Sequence, residues 1–145
     1  MEEQYPKIYL YRRIVQAKLF IDEHFADMIN LDDTAGEAAF SKFHFIRLFK
    51  SIYNKTPHQY LIGVRVEQAR LLLQQGAGVT ETCFAVGFDS IGSFSLLFKK
   101  IMGHSPQAYR RQQLYRKEAI EAKPLSFVPG CFAEKRGWVE NSNFQ

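Results

Sequence analysis

One segment of this sequence occurs twice, 49 residues apart. Ser41-Lys42-Phe43-His44-Phe45-Ile46-Arg47-Leu48-Phe49-Lys50 runs on to Pro57 and Tyr60; Ser90-Ile91-Gly92-Ser93-Phe94-Ser95-Leu96-Leu97-Phe98-Lys99 runs on to Pro106 and Tyr109. Eight pairs are identical at that offset: Ser41/Ser90, Phe45/Phe94, Leu48/Leu97, Phe49/Phe98, Lys50/Lys99, Ile52/Ile101, Pro57/Pro106 and Tyr60/Tyr109. The matched apolar residues fall at i, i+3, i+4 and i+7, the spacing of one buried helix face. Each unit is therefore expected to form a short amphipathic helix with a buried stripe of Phe45, Leu48, Phe49 and Ile52, or Phe94, Leu97, Phe98 and Ile101. Two matched helices with basic ends suit two contacts on one long partner, and duplex DNA is such a partner.

Charge follows the repeat. Residues 1–40 hold four Lys/Arg against eight acids, residues 41–113 hold ten against three (Glu67, Glu81, Asp89), and 114–145 hold five against four. A basic block that coincides with the repeated helices is the electrostatic footprint of a nucleic-acid face. At 145 residues the chain is expected to be one domain with a tail. It has no run of eighteen apolar residues and no basic, apolar start typical of a signal peptide. Cys83 and Cys131 make neither a disulfide framework nor a zinc set, and Cys83 falls in an apolar helix pattern as a small core residue. These features predict a cytoplasmic protein without metal or cofactor.

Helical spacing covers nearly the whole chain, and no segment reads as a strand. A first helix is expected over about 8–25, carrying Ile8, Tyr11, Ile14, Val15, Leu19, Ile21 and Phe25 against a polar opposite face. A short helix follows over 31–38 with Asn30 or Asp32 as cap, and Ser41 caps the next, ending near Tyr53-Asn54. Thr56-Pro57 opens a long helix over about 57–75, stopped by Gly76-Ala77-Gly78. Thr80 is expected to cap a short helix through Val86, Gly87 to make a turn, and Ser90 to cap a helix ending near Met102-Gly103. Ser105-Pro106 starts a last helix over about 106–113, which Leu114 to Ala122 could extend until Pro124 breaks it. The predicted fold is all-α: helix-turn-helix units over about 31–53 and 80–102, joined by the 57–75 helix. Such a linker spans roughly 28 Å, close to the roughly 34 Å of one B-DNA turn.

These stretches resemble the DNA-binding domain of AraC/XylS-type transcriptional regulators over about residues 8–112. The most specific run is Val86-Gly87-Phe88, Phe94-Ser95, Phe98-Lys99-Lys100, Gly103, Ser105-Pro106 and Tyr109-Arg110. Arg65, Ala69, Leu71 and Leu72 are similar to the family's linker-helix pattern, and Ser41, Arg47, Phe49 and Lys50 to its first recognition helix. The resemblance implies a bacterial, sequence-specific transcription factor with two homeodomain-like helical units, double-stranded DNA as its partner and RNA polymerase as a further candidate. Members often carry an extra N-terminal sensing or dimerising domain, whereas here about seven residues precede the first expected helix, as in short, stand-alone members. A second departure is Leu96, which fills a position where the family commonly has a basic residue.

Outward residues divide by chemistry. Arg47 can bond guanine O6 and N7 in a fork, and Phe43 and Ile46 can meet thymine methyls. Lys42, Lys50, Lys99, Lys100 and Arg110 suit phosphates, as do the helix starts at Ser41, Ser90, Thr56 and Ser105. Ser95 and Leu96 face outward on the second helix with no bidentate donor, so the second probe is expected to add positioning and shape readout. His44 and His58 have no acid at metal-ligand spacing. No enzyme motif occurs: no nucleophile elbow, P-loop, HExxH or CxxC. The competing class is a helical protein-interaction adapter with a degenerate DNA face. No symmetric dimer surface stands out, so a monomer on an asymmetric site is expected. The tail over 114–145, with Phe127, Phe132, Trp138 and Phe144, is too aromatic for a typical disordered linker; docking on the acidic N-terminal side, partner binding and a loose tail all stay open.

Overall fold

The helix that joins the two repeats is the rod on which the rest of the molecule packs. In the computed structural model, which describes residues 4–29, 31 and 42–129, the helices in order are α1 Gln4–His24, α2 Lys42–Tyr53, α3 Pro57–Gln74, α4 Val79–Ala85, α5 Ile91–Met102 and α6 Pro106–Ala122, then a 3-10 turn Pro124–Phe127. No strand occurs among the described residues. Local chemistry defines the rod's ends. Thr56 Oγ1 accepts from the Gln59 N–H at 3.2 Å while Gln59 Oε1 accepts from the Thr56 N–H at 3.0 Å, a reciprocal cap of about 1 kcal/mol. At the other end Gly76 takes φ +99°, its N–H reaching the Leu73 carbonyl and that of Ala77 reaching the Leu72 carbonyl, both at 3.1 Å.

Two hydrophobic cores sit along α3. Leu61 joins Ile14, Ala17 and Ile21 of α1 and Phe45 and Phe49 of α2. One and a half turns further on, Val66, Ala69 and Leu73 join Cys83, Val86, Phe88, Phe94 and Phe98. Phe25 packs against both clusters. Each buried phenylalanine contributes roughly 1.5–3 kcal/mol relative to exposure, so four of them anchor the two recognition helices firmly.

The sequence repeat is also a repeat of contacts. The Phe49 and Tyr60 rings meet edge-on at 5.8 Å, and Phe98 and Tyr109 do so at 5.7 Å. The Asn54 N–H bonds the Lys50 carbonyl and the Gly103 N–H bonds the Lys99 carbonyl, each at 2.8 Å, with φ of 61° and 83°. Asparagine and glycine are the residues that adopt this left-handed conformation most readily, so the two helices end alike without identical residues.

Several expectations change. Ile52 and Ile101 are 36% and 50% exposed, because the last turn of each recognition helix projects past its core. Helix α4 begins at Val79 with Gly78 as N-cap and no side-chain cap, which puts Thr80 inside the helix. Helix α1 begins at Gln4, earlier than expected, and α6 takes up the extension over 114–122. Strong helix formers sustain α6 after its apolar period fades, until Pro124 rules out continuation. The outer face of α1 is not polar: Ile8, Tyr11, Val15 and Leu19 are all exposed. The expected 31–38 helix (apart from Leu31), Ser41, Cys131, Phe132, Trp138 and Phe144 lie outside the described residues.

Candidate nucleic-acid interface

Burial of Phe45 and Phe49 fixes the rotation of α2 and turns Lys42, Phe43, Arg47 and Lys50 to the surface. Phe43 is 75% exposed, whereas Ile46 is half-buried against the first core. Phe94 and Phe98 orient α5 in the same way, leaving Lys99 and Lys100 exposed, Leu96 at 74% exposure and Ser95 half-buried. Because the offset is constant, positions of the two helices correspond: Arg47 with Leu96, Phe43 with Gly92 and Lys50 with Lys99 on the exposed side, and half-buried Ile46 with half-buried Ser95. Only the α2 side of the first pair carries a forked donor.

Both recognition helices wall one cleft of about 770 Å³. Lys42 and Ile46 line it from α2, Ser93 and Leu97 from α5, and His58 and Arg65 of α3 lie between. The α2 and α5 surfaces that flank the cleft thus belong to one side of the molecule, and Asp89 lines it beside Lys42 and Arg65.

The caps have local duties. Ser90 Oγ accepts from the Ser93 N–H at 3.3 Å and Ser105 Oγ from the Ala108 N–H at 3.1 Å, which pre-forms α5 and α6. Arg110 differs from its expected phosphate role. Its Nε donates to the Ala77 carbonyl at 3.0 Å and its Nη2 to the Gly76 carbonyl at 3.3 Å, so it ties α6 to the turn that ends α3. Arg65 is tied in the same manner, through Nε to the Phe25 carbonyl at 2.6 Å and Nη2 to the Asp27 carbonyl at 3.0 Å; burial lowers its pKa, with nearby Asp89 opposing. The sequence carries one signal for these structural roles of Arg65 and Arg110: an arginine among packing positions of a helix points to an internal acceptor. Cys83 is buried, and burial pushes its thiol pKa up. Among the described residues no group of three or more His, Cys, Asp or Glu side chains gathers to hold a metal, and no helix is long and apolar enough to cross a membrane.

Comparison with known proteins gives a consistent set. A helix-turn-helix domain family model matches residues 34–112. The chain is 37% identical over 94 residues to the MmsAB operon regulatory protein of Pseudomonas aeruginosa, 64% of this chain and 31% of that one. It is 33% identical over 103 residues to the TetD protein of transposon Tn10 from Escherichia coli, 70% of this chain and 75% of that one. The DNA-binding domain of AdpA, a global transcriptional factor solved in complex with a target DNA, matches with a TM-score of 0.67 at 30% identity, covering 72% of this chain and 96% of that one. The chain spans from about a third to under two thirds of the length of the first curated relatives it matches, 58%, 31% and 34%.

Proposed function

Because the chain belongs to the AraC-type helix-turn-helix family of transcriptional regulators, we propose that it binds duplex DNA sequence-specifically, placing α2 and α5 in successive major grooves of one site. The observation that carries this reading is the duplicated geometry: two recognition helices fixed by the same ring contacts and end caps, walling one cleft. The linker's 18 residues correspond to about 27 Å, a length commensurate with the roughly 34 Å between successive grooves on one side of B-DNA.

In this reading Arg47, Phe43 and Ile46 discriminate bases from α2, while Ser95 and Leu96 make close, undirected contact from α5. Lys42, Lys50, Lys99 and Lys100 neutralise phosphates, and the α5 and α6 starts at Ser90 and Ser105 offer backbone N–H groups. Ser41 would do the same for α2. One chain supplies both probes of a site. Transcription control places the protein in the bacterial cytoplasm, with RNA polymerase as the machinery to be recruited or blocked.

A second reading, a protein-interaction adapter, draws on the exposure of Phe43 and Leu96. Selection from a random duplex pool, followed by titration of the enriched site at several salt concentrations, separates the two. A DNA regulator enriches a defined site and loses affinity linearly in log salt; an adapter enriches nothing.

A further inference from the structure

Helix α1 carries two apolar stripes, roughly 130° apart around its axis. Its inner stripe, Leu10, Ile14, Ala17 and Ile21, packs into the first core together with Phe25 just past its end. In the second stripe, Ile8, Tyr11, Val15 and Leu19 repeat at intervals of three and four residues and are exposed by 53%, 46%, 44% and 49%. A contiguous exposed apolar strip marks a contact surface.

The charges beside this strip identify what covers it. On one flank Lys18 and Asp22 pair with each other at 2.7 Å, and Asp22 also accepts from the Tyr60 hydroxyl at 2.6 Å. On the other flank stand Arg12 and Glu23, both exposed and without an ion pair among the described residues. Eleven residues separate them, three helical turns, so they share that flank. Their midpoint falls between residues 17 and 18, and that of Val15 and Leu19 falls at 17. A two-fold axis there would set Val15 against Leu19 of a second α1 and Arg12 against Glu23, then repeat both contacts by symmetry. This is the pattern of an isologous interface, in which residue i meets j and j meets i.

We propose that the outer face of α1 is a homodimer seam, joining two chains through antiparallel α1 helices with Val15 and Leu19 at its centre and two Arg12–Glu23 ion pairs at its edge. The inference is independent of the DNA assignment. It modifies the expectation of a monomer: one chain still spans one bipartite site, and the seam couples two such units. A single helix pair is a small interface, in the size range of weak, reversible association.

Sedimentation equilibrium of the full chain without DNA tests it. The wild type should approach the mass of two chains at about 100 µM. Arg12→Glu should weaken association by roughly tenfold, and the double exchange Arg12→Glu with Glu23→Arg should recover it to within about threefold, because both symmetric pairs are reversed together. Leu19→Lys should leave a monomer that melts like the wild type. A wild type that stays monomeric, or a double exchange no better than the single one, overturns the proposal. So does a monomer whose Trp138 emission is blue-shifted and turns red in Leu19→Lys, since residues 130–145 would then cover the strip; Trp138 is the only tryptophan.

Discussion

Arg65 Nε donates to the carbonyl oxygen of Phe25 at 2.6 Å, joining residues 40 apart in sequence. The same guanidinium bonds the Asp27 carbonyl and lies 5.8 Å from the centre of the Phe88 ring. One side chain therefore ties the segment after α1 to the linker and to the turn of the second helix-turn-helix unit. Arg65→Ala should cost about 2–3 kcal/mol in urea unfolding, since it strands a partly buried carbonyl. Arg65→Lys should recover only part of that, because an ammonium cannot reproduce the fork.

Gly87 and Gly63 should respond in opposite directions to alanine. Gly87 sits at φ +98°, and a Cβ there would stand 2.8 Å from the Phe25 carbonyl oxygen and 3.0 Å from Arg65 Nε. Gly87→Ala should therefore destabilise by about 2 kcal/mol or more. At Gly63, inside α3, the nearest atom to a Cβ is Lys55 Nζ at 3.7 Å, an ordinary contact. Gly63→Ala should stabilise by about 0.5–1 kcal/mol through helix propensity. Thermal melts of the two variants beside the wild type decide both.

Alkaline pH should weaken the Asp22 cluster. Burial, then the hydrogen bond to Asp22, pushes the Tyr60 hydroxyl from 10.0 up to about 12, and the Asp22 bond also raises Lys18. Both folded-state values lie above the unfolded ones. The Tyr60 contribution is thus complete below about pH 10 and is lost as pH rises through about 12, and that of Lys18 is lost only above the ordinary lysine range. Asp22→Asn should be less stable than the wild type by about 1 kcal/mol at neutral pH, and that gap should close across this window. A gap that holds steady to pH 12 would assign the loss to other groups.

On DNA the two recognition helices should prove unequal. Arg47→Ala should cost about 1–3 kcal/mol on the preferred site and relax one base position, while Leu96→Ala changes specificity little. Neutralising Lys42, Lys50, Lys99 or Lys100 should weaken all sequences alike and lower the salt slope by about one. Titrations of matched and scrambled duplexes check each.

The parts legible in the sequence are those where local chemistry and periodicity agree. The Thr56-Pro57 and Ser105-Pro106 starts and the buried Phe45/Phe49 and Phe94/Phe98 pairs rest on neighbouring residues, and the structure has them in place. What escaped depends on contacts distant in sequence. The periodicity of Ile52 and Ile101 fits a buried stripe, but only the edge of the assembled core leaves them outside. Arg110 looks like a phosphate ligand until the Gly76-Ala77 turn is seen beside it. In α1, two apolar stripes merge into one pattern, since spacing alone does not tell which is covered.

Leu61 of α3 belongs to one core and Val66, Ala69 and Leu73 to the other. An inserted residue between Leu61 and Val66 would rotate everything downstream by about 100° and advance it by only about 1.5 Å. A base pair inserted in B-DNA, with 10–10.5 per turn, rotates the double helix by only about 35° and lengthens it by about 3.4 Å. The two screws have different pitch, so an inserted residue is not offset by an inserted base pair. On the proposed function, the gap between the two half-sites would thus be set by the length and phase of α3, and would not follow a single inserted residue.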